Sequence, residues 1–392
     1  MEKTLTTKFE HLTHFERIFI NEESWDTPVA DRFRRHNPAA EVIRLPAGQS
    51  QAVTTDLGPL TAEQFARSKR WVHLKAFPGS FFKRCPGFSQ KKALTCCNYH
   101  VLNLGQQCNF NCSYCYLQSY LNAPTMMVYT NLDDALNELQ EMARLHSQSP
   151  FRIGTGEVID SLSLDPTTLF SRELIQFFRQ LPNWTLEMKT KSALVDQFLD
   201  CEHAGNVLIS WSVNTQEIIA REEHGTASQL ERLAAAEKCA QRGFQIGFHI
   251  DPLIWHPNWE QGYADLVAAI TSRFTPDQVG VLSVGTLRFQ PEQRHMMRER
   301  FGATSHVVRA EMFSSESGKM RYDQNLRQTM YRHVRECFQK HSRDWQILMC
   351  METPETWISQ YGEQPVRIDG LRDQFKALPP TPSKLRNRQP TL

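Results

Sequence analysis

Along this chain, apolar residues recur at two spacings that take turns, every second residue and then every third or fourth. FERIFI (Phe15 to Ile20) and AEVIRL (Ala40 to Leu45) read as strands, and between them WDTPVADRFRRH reads as a helix started near Thr27–Pro28. From about Pro46 to Lys92 the pattern is polar and irregular. YHVLNL (Tyr99 to Leu104) is then a short apolar strand ending at Gly105. Asn131 to Ala143 is helical, with Leu132, Leu136 and Leu139 on one face, and PFRIGTG (Pro150 to Gly156) is a strand with a glycine turn. Thr168–Gln180 predicts a helix, TLEMKTK (Thr185 to Lys191) a strand, Ser192–Leu199 a helix and NVLISWSVN (Asn206 to Asn214) a strand. Ala227–Arg242 is an amphipathic helix closed by Gly243, followed by the strand FQIGFHID (Phe244 to Asp251) and a helix over Trp259–Ser272. Val279–Phe289 and Trp345–Met351 are further strands, with a helix over Met330–Lys340 between them. Alternation of this length implies βα units with parallel strands.

Length and charge narrow the class. A chain of 392 residues can bury a large core, and a net charge of +1 gives no global attraction to polyanions. Ten cysteines in such a length are too few for a disulfide scaffold. The polar start MEKTLTTKFEHLTHFER lacks signal-peptide character, and no run is apolar enough to span a bilayer, so a cytoplasmic protein without a membrane is expected. The distribution of charge says more. No acidic residue falls between Glu63 and Asp133, while Arg67, Lys69, Arg70, Lys75, Lys83, Arg84, Lys91 and Lys92 do. Trp71, Phe77, Phe81, Phe82 and Phe88 are interleaved with these cations. Such a segment suits phosphate contact and base stacking, so nucleic acid is a candidate partner through residues 67–92; aromatics capping a barrel end are the plainer reading.

The chemistry concentrates in CNFNCSYCYLQ, where Cys108, Cys112 and Cys115 form a C-x3-C-x2-C triplet in the loop after a strand. Three thiolates can hold three irons of a 4Fe-4S cluster and leave the fourth open to a second molecule, whereas closed clusters take four cysteines. This spacing, with Tyr116 after the last cysteine, is that of radical S-adenosylmethionine (SAM) enzymes. A structural zinc site would want a fourth ligand nearby, and no histidine follows Cys115 until His146. Three inert buried thiols are the remaining reading.

Other candidates sit at strand ends, where barrels place their active sites. Gly154, Thr155, Gly156 and Glu157 follow the next strand: glycines admit a ligand to the backbone, and Glu157 offers an acceptor for the ammonium group of SAM; a plain strand-to-helix turn has the same letters. Lys191, Ser212 and Asn214 end the two strands after that and are candidates for contact with SAM or its ribose. His249 reads as a core histidine, Asp251 before a proline as a turn residue, and Arg288 ends a later strand. Cys85, Cys96 and Cys97 precede the triplet; an auxiliary cluster, hydrogen delivery and simple burial all stay open, with burial the leading expectation. Cys201, Cys239, Cys337 and Cys350 read as core.

These pieces carry a resemblance. CSYCYLQ, MVYTNLDD with the Leu and Asn before it, LEMKTK, SWSVNTQEI, EHGT, RLAAAEKCAQRGFQIGFHIDP and the Trp259–Gly262–Tyr263 segment resemble spore photoproduct lyase and its radical SAM relatives, in order from about Lys83 to about Met351. The CPG and CCNYHVLN lead-in resembles the branch outside the spore enzyme itself. The resemblance implies a partial (β/α)6 barrel, a 4Fe-4S cluster and SAM in its mouth, an electron donor of flavodoxin or ferredoxin type, and lyase chemistry on a thymine dimer in DNA. It also implies a difference. Where the lyase carries a cysteine that returns hydrogen to the product radical, IGTGEVID places Gly154, leaving Tyr114, Tyr116, Cys96 and Cys97 as candidate donors. The expected organisation is an N-terminal α/β extension and basic segment over 1–92, the barrel over 93–355 and a C-terminal extension over 356–392, disordered from about 376. The leading function is radical SAM chemistry on a nucleic-acid pyrimidine. The alternatives are radical SAM chemistry on a small molecule or protein, and a non-enzymatic Fe–S or zinc module.

Overall fold

The computed structural model describes residues 13–49, 62–85, 99–121, 125–146 and 148–365, together with Leu94, Thr95 and Cys97. Seven strands lie side by side in chain order: His100–Leu102 (β1), Phe151–Gly154 (β2), Trp184–Thr190 (β3), Val207–Ser212 (β4), Gln245–Leu253 (β5), Val279–Thr286 (β6) and Ile347–Met349 (β7). Each runs parallel to the next. Phe82–Arg84 adds an antiparallel edge beside β1. Among the described residues the sheet does not pair back on itself, so it is an open barrel, as expected, with β7 beyond the six strands of the expected repeat. Its strands are apolar on both faces because helices cover one side and the barrel interior the other; all six residues of β4 are buried. The covering helices have clear local causes. Ser228 and Glu231 form a reciprocal capping box at the start of Gln229–Gln241, and Gly243 takes a positive φ of 82° just past its end.

A second sheet orders Glu41–Leu45, Arg17–Asn21, Trp71–Lys75, Met126–Tyr129 and Gly105–Gln106, parallel except for the last. Thr27 caps the helix Pro28–His36, which buries Val29, Ala30 and Phe33. Here the structure departs from the irregular segment expected up to Lys92. Ala62–Ser68 is a helix, and Trp71–Lys75 is an interior strand with Trp71, Val72, His73 and Leu74 buried. Phe81 and Phe82 are also core, and Phe77 stacks on Tyr129 with ring centroids 4.4 Å apart. Trp71, Phe77, Phe81 and Phe82 therefore pack inward, which withdraws these four rings from base stacking. Arg70 pairs with Glu16 at 2.7 Å, and Lys69 is buried. Phe88, Lys91, Lys92, Cys96 and the tail from 376 lie outside the described residues.

Two further expectations change. Residues 192–201 form turns, not a helix: the Ser192 carbonyl accepts the Trp211 indole N–H at 3.0 Å, and Val195 and Phe198 are buried singly. The helix expected from Met330 begins earlier, at Gln324, where Asp323 caps it. Among the described residues no helix is long and apolar enough to cross a membrane.

Candidate active site

The triplet lies in the segment that follows the second-sheet strand Gly105–Gln106 and leads on to Met126–Tyr129. Cys112 is buried and Cys108 and Cys115 half-buried, none in a disulfide. Burial pushes the Cys108 thiol up to about 12 and Cys112 well above its ordinary value, which favours the S–H form of both. The loop is pinned from outside by polar side chains. Asn111–Cys112 pairs antiparallel with Glu223–His224. Ser113 donates through its backbone to the Glu222 carbonyl at 2.8 Å and through its hydroxyl to the Glu222 carboxylate. The Tyr114 hydroxyl donates to Glu223, whose other oxygen meets Arg232 at 2.5 Å in a fully buried pair. Gln293 donates to the carbonyls of Tyr114 and Cys115 at 3.1 and 3.0 Å. Lys69 donates from beneath to the Cys108 carbonyl at 2.7 Å.

The second loop, after β2, is held by its own neighbours. A Cβ on Gly154 would lie 1.4 Å from the Tyr99 hydroxyl oxygen, and one on Gly156 would lie 2.8 Å from both the Lys189 carbonyl and Ser161 Oγ. Both glycines are thus required by packing within the protein, a cause the letters GTGE do not disclose. Thr155 is buried, its hydroxyl on Ser161 at 2.8 Å. Burial raises the Glu157 carboxyl to about 7, against the opposing pull of Lys189, Lys83 and Lys319. Those three lysines therefore share one edge of the mouth with Glu157. The Tyr116 hydroxyl donates to the Glu157 carbonyl, which ties the two loops together.

Lys191 and Ser212 meet, the ammonium donating to the hydroxyl at 2.9 Å. Asp160 accepts the Lys191 backbone N–H at 2.9 Å and the Thr190 hydroxyl at 2.7 Å, fixing the end of β3. Asn214 sits apart from this pair in its bonding. It is 1% exposed, donates to the Pro252 carbonyl and accepts from Thr215 and Tyr263, so its side chain braces strand ends. Inside the barrel, His249 bonds Glu187 at 2.7 Å, with Ser210 on the same oxygen at 2.8 Å. Burial alone would raise Glu187, but Arg152 and His249 hold it below the usual carboxylate range, and burial lowers His249 against the pull of Glu187. Arg288 binds Asp251 through two nitrogens at 2.9 and 3.0 Å and holds it down at about 2 against the burial penalty. Cys201 and Cys350, expected in the core, are half-buried, and Cys350 follows β7 beside Arg288 at 3.8 Å. Cys85 and Cys97 are half-buried.

The donor set suits a multi-iron cluster: three soft thiols in one loop. Among the described residues no three His, Cys, Asp or Glu side chains converge as a single metal ion would require. Sequence reasoning missed Lys69, Tyr99, Asp160, Gln293, Glu222, Glu223 and Arg232. Tyr99 in CCNYHVLN, Glu223 in EHGT and Arg232 at the head of RLAAAEKC lay inside recognised segments, and Asp160 and Glu222 beside such segments, with nothing local to disclose their roles.

A parallel open barrel with a C-x3-C-x2-C loop after its first strand defines the class: a radical SAM fold. The sequence profile of spore photoproduct lyase matches residues 87–346, and the chain belongs to that family. Spore photoproduct lyase of Geobacillus sp. (strain Y412MC61) is 30% identical over 208 residues, covering 52% of this chain and 61% of that protein. The lyase of Bacillus subtilis (strain 168) is 29% identical over 171 residues, 43% of this chain and 50% of that one. The alignments thus span between half and two thirds of these two relatives. A solved spore photoproduct lyase variant with bound AdoMet and dinucleoside spore photoproduct superposes with a TM-score of 0.74 at 21% identity, covering 86% of this chain and 99% of the other. The lyase complexed with dinucleoside spore photoproduct gives 0.73 at 21%, over 86% and 98%.

Proposed function

We propose that this chain holds a 4Fe-4S cluster on Cys108, Cys112 and Cys115, binds SAM beside it, and reverses a pyrimidine photoproduct in DNA as a lyase. The family match running through the triplet carries the reading. When bound, the cluster and SAM supply a 5′-deoxyadenosyl radical that can abstract hydrogen from the substrate. The chain's own groups then have separable tasks. The backbone of Gly154, Thr155 and Gly156 forms the floor for the methionine end, and Glu157 in its ionised form accepts the SAM ammonium group. Lys191, steadied by Ser212, faces the Tyr114 ring at 5.8 Å and is placed to meet a carboxylate or ribose. Asn214 and Tyr114 act through the elements they brace. Lys83, Lys189 and Lys319 supply positive charge for DNA phosphates, a role that no longer draws on the aromatics of the basic segment. A reductant of flavodoxin or ferredoxin type supplies the electron, and a reducing compartment such as the cytoplasm suits three unpaired cluster thiols.

Binding to ultraviolet-irradiated DNA, titrated with salt, tests the nucleic-acid half of the reading. Lys83→Glu and Lys319→Glu should weaken binding and each reduce the slope of log K against log salt by about 1. Binding indifferent to salt and to both reversals would leave a small-molecule or protein substrate as the better reading.

A further inference from the structure

We propose that Tyr99 is the hydrogen-atom donor that quenches the product radical, its phenol standing over Gly154 at the end of β2. The inference rests on the radical lyase reading above. A reaction that opens by taking a hydrogen atom and breaks a carbon–carbon bond leaves a carbon-centred radical on one product. A closed-shell product needs a hydrogen atom from an X–H bond weaker than the C–H bond it forms. Protein side chains offer two such groups, the thiol and the phenol. β2 ends without a side chain of its own, because a Cβ on Gly154 would overlap the Tyr99 oxygen at 1.4 Å. The phenolic O–H therefore occupies the place at the mouth that a side chain of residue 154 would reach.

Of the competing groups, the two phenols already donate elsewhere, and two of the described thiols are held against guanidinium groups. The Tyr114 hydroxyl is bonded to buried Glu223, and the Tyr116 hydroxyl to the Glu157 carbonyl. Cys97 Sγ accepts from Arg152 at 3.5 Å, and Cys350 Sγ from Arg288 at 3.8 Å. The Tyr99 ring rests against the Arg152 guanidinium at 5.0 Å, and among the described residues its hydroxyl takes part in no hydrogen bond. Burial, with Glu187 next, raises the Tyr99 phenol well above its ordinary value, so it stays protonated. In the step, the Tyr99 O–H bond breaks homolytically and a C–H bond forms on the product. The neutral phenoxyl left on Tyr99 takes one electron from the external low-potential reductant, of the flavodoxin or ferredoxin class, and one proton from water.

The test uses anaerobic, reconstituted full-length enzyme in thiol-free D2O with dithionite, SAM and dinucleoside spore photoproduct. Wild type should release one thymine carrying a single deuterium. Tyr99→Phe should still cleave SAM and consume the dinucleotide but lose the labelled thymine, the product radical ending instead as adducts with dithionite-derived species. Cys97→Ala should keep the label. Tyr99→Ala with Gly154→Cys should restore it, since a thiol then fills the vacated space. A readout without cofactor accompanies these: in the apoprotein, Gly154→Ala should lower Tm, and adding Tyr99→Ala should recover part of the loss. Tyr99→Phe with undiminished labelled thymine overturns the donor and leaves the functional reading intact. Tyr99→Phe that loses SAM cleavage along with the label makes Tyr99 a positioning residue and also overturns the donor. Wild type whose SAM cleavage ignores the dinucleotide overturns the functional reading, and the donor with it.

Discussion

Two loops meet at the mouth of the barrel and are held there by opposite means. The cysteine loop, 108–115, is tied down by residues far along the chain: Gln293 bonds two of its carbonyls, and Glu222, Glu223 and Arg232 form a buried polar wall behind it. The loop after β2 is shaped by what lies beside it, where Tyr99, Ser161 and the Lys189 backbone leave room only for glycine. A loop proposed to hold iron on thiols needs this external bracing, because thiols contribute little directional bonding of their own. The glycine loop needs none, since parallel-strand hydrogen bonds already fix its start. Damage to the two should therefore read out differently, one in iron content and the other in SAM binding.

The largest effect should come from the thiols themselves. Cys108→Ala, Cys112→Ala or Cys115→Ala should reduce 5′-deoxyadenosine formation to the level of reductant and SAM alone, with the cluster absorbance lost; retained cleavage in any of them would refute the assignment. Arg232→Met comes next. It leaves Glu223 buried without its cation, which should cost about 3–5 kcal/mol in denaturant unfolding and lower iron occupancy through Tyr114 and the 111–112 strand. If iron occupancy is unchanged while stability falls, the bracing has been misjudged. Gly156→Ala should cost about 1–3 kcal/mol by overpacking against Ser161 and Lys189. It should weaken SAM binding while leaving iron content intact; equal losses of both would erase the contrast between the loops.

The smallest effect concerns pH. With Glu157 titrating at about 7, the ionised acceptor for the SAM ammonium group is scarce at pH 6 and prevalent at pH 8, so SAM affinity should rise by somewhat under tenfold across that range. Isothermal titration of Glu157→Gln should show a flat, weaker affinity. Stability runs the other way. The folded protein keeps the Glu157 proton longer than the unfolded chain does, so stability falls as pH rises from the ordinary glutamate range to about 7 and levels off beyond. The Gln variant should lack that slope.

What was legible in the sequence was local. The triplet needs only a short run of residues, and the strand–helix alternation repeats often enough to announce parallel strands. The N-terminal extension was legible as far as Leu45, but the Trp71–Lys75 strand was not, because its cations and aromatics have the composition of a binding surface while its position in mid-sheet turns Trp71 inward. Residues 192–199 carry helical spacing, yet the Ser192 carbonyl bonds to Trp211 and the chain turns instead. The bracing residues were invisible for a plainer reason. Gln293 lies 178 positions from Cys115 and Glu222 109 from Ser113, and no local pattern reports a contact made across such distances. Gly154 was visible as a glycine but not as the seat of Tyr99, since that depends on how β1 enters beside β2.

The measurement that bears most directly on the proposed function is anaerobic 5′-deoxyadenosine formation by reconstituted enzyme with dithionite and SAM, with and without ultraviolet-irradiated DNA. The expected result is deoxyadenosine that rises with irradiated DNA over unirradiated DNA, with thymine recovered in step and both lost in Cys112→Ala. Deoxyadenosine formed at one rate in all three conditions would contradict a photoproduct substrate, and none formed at all would contradict the radical SAM site itself.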